Sequence, residues 1–275
     1  MSTFAFKDKE IFYTWDGEKG KPVLCILNGI MMSHKSWDAF IPTLSNHFRI
    51  LRLDFLDQGL SSKMDEPYTQ RLQVEMLKAL FDHLALEKVH LVGISYGGSI
   101  ALQFAERHPR RLDRMILFNA AARTTPWLRD IGRGWNRVAR SGDGEAYYHV
   151  TIPYIYSPHF YTRRIEWMEN RKETLLPVFE SDAFRQAMIR LTDSAEGHDV
   201  YDNLPAIQVK TLVVAAEDDY LTPPYQQKEI ASRMPDATYL MFPECGHASM
   251  YEKPELFVTS IIGFLSDSTD EYDIA

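Results

Sequence analysis

Ser95, flanked by two glycines, is the first residue of this sequence whose surroundings suggest chemistry. It stands in the pattern G-x-S-x-G with Gly93 and Gly97, after an apolar run and before a helix-compatible stretch at 99–107. A serine at a tight strand-to-helix turn exposes its hydroxyl, and the crowded backbone there accepts only small residues two positions away. The pattern alone is common by chance, so the flanking strand and helix carry the argument. The sequence predicts that Ser95 is a nucleophile.

A serine nucleophile needs a base, because its hydroxyl is only weakly nucleophilic at neutral pH. Histidine suits this role because its ordinary pKa lies near neutrality. Of nine histidines, only His247 follows a late apolar run, in a loop that can carry it over the strand ends. We therefore expect His247 to be the general base.

The imidazole of such a base needs a carboxylate that fixes its tautomer and stabilises its charged form. Three carboxylates follow the preceding apolar run: Glu217, Asp218 and Asp219. For Glu217 and Asp218, a solvated turn residue or a helix-capping charge is the alternative interpretation. The residues alone leave the choice among the three open.

Six short apolar runs predict buried strands, and helical patterns separate most of them. The runs lie at 23–27, 50–53, 89–92, 115–118, 212–216 and 238–242, and the helical patterns at 72–86, 99–108 and 225–234. Strands alternating with helices indicate a mostly parallel sheet with helices on both faces. Ligands bind at the carboxyl ends of such strands, where Ser95 and His247 are expected.

The alternation stops at residues 123–203, which are rich in Trp, Tyr and Arg and contain no convincing strand. Proline disfavours helix interiors, so the prolines here predict about four short helices. These prolines are Pro126, Pro153, Pro158 and Pro177, with Pro205 directly after the insertion. The predicted organisation is a core formed by 1–122 and 204–275, with a helical insertion at 123–203.

Together these features resemble the α/β-hydrolase fold family. The order of nucleophile, acid and histidine along the chain is that of its triad, and differs from the orders in chymotrypsin and subtilisin. Glu252 and Pro254 after His247 also fit the family, and the resemblance extends over about 21–264. It implies an α/β-hydrolase fold in which the insertion forms a helical cap.

The resemblance also favours one acid. In the family a proline follows the acid by four residues, and aligning on Pro223 places the acid at Asp219, with Ala216 in place of a glycine. Asp218 is the fallback. Some members carry the acid after an earlier strand. The matching position in this sequence is Asn119, whose amide cannot serve as the carboxylate.

Two backbone N–H groups stabilise the oxyanion in this family, and the resemblance assigns them to Ile30 and Tyr96. Asn28 replaces a family histidine in the Ile30 loop, which leaves the anchoring of that loop open, and we expect Asn28 near the substrate.

In a later turn, Leu56 and Asp57 replace an arginine and a glycine that are common in the family. We interpret that turn as structural.

The resemblance implies that the insertion covers the site and helps to select the substrate. We expect Trp127 and Tyr154 to contact an apolar acyl group, although packing of the insertion onto the core explains each aromatic equally well.

Four arginines share one helical face: Arg129, Arg133, Arg137 and Arg140. A solvated surface is the simplest interpretation. The alternative, suggested by the resembling carrier-protein methyl ester esterases, is a docking face for an acidic acyl-carrier protein.

Composition argues against several classes of function. The net charge of -8 gives little attraction for nucleic acid. No apolar run reaches membrane-spanning length, and charged residues stand at 7–10, where a secretory signal needs an apolar stretch, so we expect a cytoplasmic protein. Cys25 and Cys245 offer neither a disulfide framework nor a metal site. We expect no metal and no organic cofactor.

The predicted activity is hydrolysis of a carboxylic ester. Ser95 attacks, His247 transfers the proton, Asp219 orients the imidazole, and water then frees the acyl-enzyme. The same triad can act on a thioester, a lactone or a carbon–carbon bond next to a ketone. An alternative of another class is a ligand-binding or signalling protein on a hydrolase scaffold.

Overall fold

An eight-stranded sheet forms the centre of the computed structural model, which describes residues 2–266. The strands are β1 (Ser2–Phe6), β2 (Lys9–Asp16), β3 (Val23–Leu27), β4 (Arg49–Leu53), β5 (Val89–Ile94), β6 (Leu112–Phe118), β7 (Lys210–Ala216) and β8 (Ala237–Phe242). Their order is β1-β2-β4-β3-β5-β6-β7-β8. Strands β3 to β8 pair in parallel, whereas β1 and β2 are antiparallel. The predicted mostly parallel sheet is confirmed.

Helices lie on both faces of the sheet and in the insertion between β6 and β7. They are α1 (Ile41–Leu44), α2 (Gln70–His83), α3 (Tyr96–Arg107), α4 (Pro126–Ser141), α5 (Gly144–Ile155), α6 (Pro158–Arg163), α7 (Ile165–Phe179), α8 (Asp182–Ser194), α9 (Pro224–Arg233), α10 (Ser249–Glu252) and α11 (Pro254–Leu265). No helix within residues 2–266 has the length and apolar character needed to cross a membrane.

The core has two layers because successive strand side chains point to opposite faces. In β3, Leu24 and Ile26 pack in one layer with Phe257 of α11, whereas Cys25 and Leu27 pack in the other, with α2 and α3. All four β3 side chains are fully buried. This two-sided burial produces the continuous apolar runs seen in the sequence.

The hairpin of β1 and β2 was not predicted. Its turn holds Lys7 at φ 56°, and β2 joins the sheet beside β4. Lys9 and Glu10 begin β2, and its apolar run Ile11–Tyr13 is shorter than the five-residue run that forms β3. A strand whose apolar run is short and preceded by charged residues therefore gives a weaker sequence signal than a continuously apolar one.

Between β6 and β7 the structure has five helices, one more than predicted. Pro153 and Pro177 lie inside α5 and α7 and do not separate helices. Four of the starts are marked by Thr125, Asp143, Ser157 and Ser181, whose side chains accept a backbone N–H of the first turn. Capping residues thus marked these boundaries better than prolines did.

Candidate active site

Ser95 occupies the sharp turn between β5 and α3. Its backbone lies at φ 51° and ψ -114°, a region that residues with a side chain rarely adopt. The Ser95 N–H donates to the carbonyl of Phe118, at 2.9 Å, which ties the turn to the end of β6. Such strain persists only where the surrounding structure fixes it, and it is common at functional sites.

The two glycines of the motif permit this turn by close backbone approach. A Cβ on Gly93 would lie 2.6 Å from the carbonyl oxygen of Gly97, and one on Gly97 would lie 2.5 Å from the carbonyl oxygen of Leu27. Both distances are shorter than real Cβ contacts. The glycines therefore let α3 start directly against the ends of β5 and β3.

His247 lies between Ser95 and Asp219. Its Nε2 is 2.8 Å from Ser95 Oγ, and its Nδ1 is 2.7 Å from Asp219 Oδ2. In the tautomer with the proton on Nδ1, this nitrogen donates to the carboxylate and leaves Nε2 free to accept the serine proton. The structure thus brings together three residues that follow β5, β7 and β8.

Asp219 is held by a set of donors that Asp218 lacks. One Asp219 oxygen accepts the backbone N–H groups of Leu221, at 2.8 Å, and Thr222, at 3.0 Å. The other accepts the side-chain N–H of Asn119, at 2.8 Å, as well as the His247 contact. Asp218 makes no contact with His247, and one of its carboxylate oxygens is buried without a partner among the described residues. The geometry therefore favours Asp219 over Asp218.

The predicted oxyanion donors face the same cavity as Ser95. Tyr96 supplies the first N–H of α3, which has no intrahelical acceptor, and Ile30 lines the cavity together with Tyr96 and Ser95. Gln58 fixes the Ile30 loop, because its side-chain N–H groups donate to the carbonyls of Gly29, at 2.8 Å, and Ile30, at 3.1 Å. The loop is thus anchored by a side chain that sequence reasoning did not identify.

Asn28 anchors the same loop from inside the protein and does not line the cavity, contrary to the expectation that it contacts substrate. It is 1% exposed. Its side-chain N–H groups donate to the Leu53 carbonyl, at 2.9 Å, and to Gln58 Oε1, at 3.1 Å, and its oxygen accepts from Trp37 Nε1, at 2.7 Å. Through these hydrogen bonds Asn28 holds the Ile30 loop in place, at the position where the family has a histidine.

The turn that departs from the family pattern joins the core to the insertion. Asp57, where relatives have glycine, adopts φ 72°, a backbone conformation that favours glycine. Its buried carboxylate pairs with Arg190 of α8, at 2.6 Å, and accepts the Met64 N–H, at 3.0 Å. The structural interpretation of this turn agrees with these contacts.

A cavity of about 190 Å³ lies between the strand ends and helices α4, α5 and α7. Its apolar lining includes Met31, Leu128, Trp135, Ile155, Leu175 and Tyr251. Trp127 and Tyr154, expected to contact the acyl group, are 53% and 38% exposed and do not line it. Trp127 instead donates to the Tyr220 carbonyl, at 2.8 Å. Aromatic content alone did not show which side of each helix faces inward.

The four arginines of α4 largely contact acidic residues of the insertion itself. Arg133 pairs with Glu196 at 2.6 Å, Arg129 approaches the same carboxylate at 3.8 Å, and Arg140 lies 3.6 Å from Asp193. Arg129 and Arg133 also line the cavity. Docking of an acyl-carrier protein on this face stays a prediction.

Two further residues around the site were missed as functional candidates. Glu252 is buried and accepts the Ser157 N–H at 2.8 Å, the Ser157 hydroxyl at 2.6 Å and the Gly246 N–H at 3.0 Å, which connects the His247 loop to α6. Arg171 of α7 lines the cavity. The sequence pattern indicated Glu252, which stands five residues after His247. Nothing in the sequence indicated Arg171.

Comparison with known proteins agrees with the fold. Residues 22–254 match the sequence model of the alpha/beta hydrolase fold family. Among solved structures, MGS-M2, an alpha/beta hydrolase enzyme from a Medee basin deep-sea metagenome library, has a TM-score of 0.96 and 52% identity, covering 99% of this chain and 100% of that one. A thermophilic esterase from Thermogutta terrifontis has a TM-score of 0.80 and 28% identity, covering 96% of each chain.

Among curated proteins, the chain is similar to a putative carbamate hydrolase, RutD, of Caulobacter sp. (strain K31). The two are 28% identical over 242 residues, which cover 86% of this chain and 88% of that relative. The likeness therefore extends over nearly the whole of both proteins.

Proposed function

This chain belongs to the α/β-hydrolase fold family and is a hydrolase, and we propose that it cleaves carboxylic esters through an acyl-enzyme formed on Ser95. The observation that carries the proposal is the unbroken series of contacts from Ser95 Oγ to His247, at 2.8 Å, and from His247 to Asp219, at 2.7 Å. Each contact is within hydrogen-bond distance, as general base catalysis requires.

In the proposed reaction Ser95 Oγ bonds to the carbonyl carbon while its proton moves to His247 Nε2. The N–H groups of Ile30 and Tyr96 stabilise the oxyanion. Collapse of the tetrahedral intermediate breaks the ester C–O bond, and His247 gives its proton to the departing alcohol. Water, deprotonated by His247, then hydrolyses the acyl-enzyme and restores Ser95.

The similarity to the Thermogutta terrifontis esterase supports an ester substrate. The similarity to the putative carbamate hydrolase makes a carbamate the second candidate, because the same attack on a carbonyl carbon would open it. In both cases we propose that α4 to α8 act as a cap, since residues of α4, α5 and α7 line the cavity above Ser95.

The test is steady-state hydrolysis of matched esters, thioesters, lactones and carbamates by wild type, Ser95→Ala and the control Ser232→Ala. Ser232 is exposed on α9, away from the cavity. We expect saturable ester turnover that falls by about 10⁴-fold or more in Ser95→Ala and is unchanged in the control. Undiminished turnover in Ser95→Ala would refute the proposal, and exclusive turnover of another class would move the substrate to that class.

A further inference from the structure

Arg171 places a guanidinium in a cavity whose walls are mainly apolar. It extends from α7 into the same cavity as Ser95 and His247. Its guanidinium carbon lies 5.0 Å from the ring centre of Tyr251 and 6.0 Å from that of Trp167. Its Nε is buried and has no hydrogen-bond partner within residues 2–266. Aromatic faces attract such a cation weakly, but they do not neutralise it.

The other charged groups of the cavity wall have partners of opposite charge. Arg129 and Arg133 share Glu196, at 3.8 and 2.6 Å. Asp193 lies 3.6 Å from Arg140. His247 contacts Asp219. In the described part of the chain, Arg171 has no carboxylate within ion-pairing distance.

The phenols of Tyr156 and Tyr251 lie close enough to Arg171 to interact with it, but they do not balance its charge. Burial raises the pKa of Tyr156, so its phenol stays neutral near pH 7. Arg171 is partly buried, and a partly buried cation without a counter-charge carries a cost that is commonly offset when an anionic ligand binds.

We propose that Arg171 determines specificity by binding a carboxylate of the substrate while the scissile carbonyl lies at Ser95. The inference rests on the proposed ester hydrolysis and narrows its substrates to small esters or lactones that carry a second, anionic group. The planar guanidinium matches a carboxylate with two parallel hydrogen bonds. The apolar surroundings strengthen that pair relative to water.

Pairs of substrates that differ only in the anionic group test this inference. For a carboxylate in the acyl part, the monomethyl esters of succinate, glutarate and adipate are compared with methyl butanoate, pentanoate and hexanoate. For one in the alcohol part, 4-acetoxybenzoate is compared with 4-methylphenyl acetate. The enzymes are wild type, Arg171→Gln, Arg171→Lys and Arg137→Gln. Arg137 is an exposed arginine outside the cavity wall, so its variant removes the same net charge.

We expect wild type to prefer the anionic member of at least one pair by about 10- to 100-fold in kcat/KM. Arg171→Gln loses this preference, mainly through a higher KM for the anionic ester, while its turnover of the neutral ester stays within about threefold. Arg171→Lys retains part of the preference, and Arg137→Gln retains all of it.

Two results would overturn the inference and leave ester hydrolysis intact: neutral esters turned over with no preference for a carboxylate, or a preference that survives in Arg171→Gln. Absence of turnover for every ester would instead refute the proposed function. Because the neutral ester reports folding and catalysis in each variant, the two failures are distinguishable.

Discussion

Asn119 donates its side-chain N–H to the carboxylate of Asp219 at 2.8 Å, across the ends of two neighbouring strands. Asn119 follows β6 directly, at φ 51°, and its own side-chain oxygen accepts the Ser249 hydroxyl at 2.8 Å. At the position where some relatives carry the acid, this chain has an amide that positions the acid of the next strand. The orientation of the His247 partner is therefore fixed from two strand ends.

Exchange of the acid for its amide distinguishes Asp219 from Asp218. In Asp219→Asn the side chain no longer accepts the Nδ1 proton well, the imidazole takes the wrong tautomer, and we expect kcat to fall by about 10³- to 10⁴-fold. Asp218→Asn, which changes the same chemical group one residue away, should stay within about threefold. Steady-state kinetics on one neutral ester measures both variants. Equal losses of kcat in the two variants would show that Asp219 is not the acid.

Glu252 is expected to act as a positioning residue for His247. In Glu252→Gln one acceptor becomes a donor that faces the N–H groups of Ser157 or Gly246, so the His247 loop shifts relative to Ser95. We expect kcat to fall about tenfold with little change in KM, because small displacements of catalytic groups are costly.

The control for this change is Glu255→Gln, an exposed carboxylate in the first turn of α11. Kinetics are measured well below the Tm of each variant, and Glu252→Asp should restore part of kcat. A variant that is only less stable, with kcat unchanged at low temperature, would mean that Glu252 does not position His247.

The pair formed by Asp57 and Arg190 is expected to stabilise the contact between core and insertion. The Asp57 side chain is fully buried, so Arg190→Met leaves an uncompensated charge and should lower the free energy of unfolding by about 2–4 kcal/mol. The double variant Asp57→Asn with Arg190→Met should lose less of the free energy of unfolding, because asparagine tolerates the positive φ and carries no charge. Urea unfolding measures both, and additive losses would argue against a coupled pair.

His198 is expected to make stability depend on pH. Burial lowers its pKa, and its Nε2 lies 2.8 Å from the Ala121 carbonyl. The unfolded chain binds a proton at His198 below about pH 6.5, whereas the folded chain does so only at lower pH. The free energy of unfolding should therefore fall as pH drops through this window, by up to about 1 kcal/mol per pH unit.

His198→Gln should reduce that slope, whereas the exposed His159→Gln should leave it unchanged. Urea titrations at pH 7, 6 and 5 provide the measurement. An identical slope in wild type and His198→Gln would show that another group controls the acid dependence.

The sequence predicted those parts of the site that follow from local backbone rules. Ser95 was recognisable because a strained turn demands Gly93 and Gly97, and His247 because it follows the last strand. The central strands were recognisable because burial on both faces makes them mainly apolar, with Arg52 in β4 and His90 in β5 among the exceptions.

Long-range side-chain contacts were not readable from spacing. Asn28 was placed near substrate, yet it bonds to Gln58 and Trp37 in the interior, and neither partner is near it in the chain. Arg171 gave no signal because an arginine in an amphipathic helix is usually solvated, and only the packing of α7 turns it into the cavity. Such placements depend on how helices meet, which local pattern does not determine.

The central claim is that Ser95 is the activated nucleophile, and its most direct test is labelling by a fluorophosphonate, with intact mass and peptide mapping. We predict one adduct per wild-type chain, located on Ser95, full labelling of Ser232→Ala and none of Ser95→Ala. An adduct that persists in Ser95→Ala, or a folded wild-type protein that takes up no label, would contradict the account.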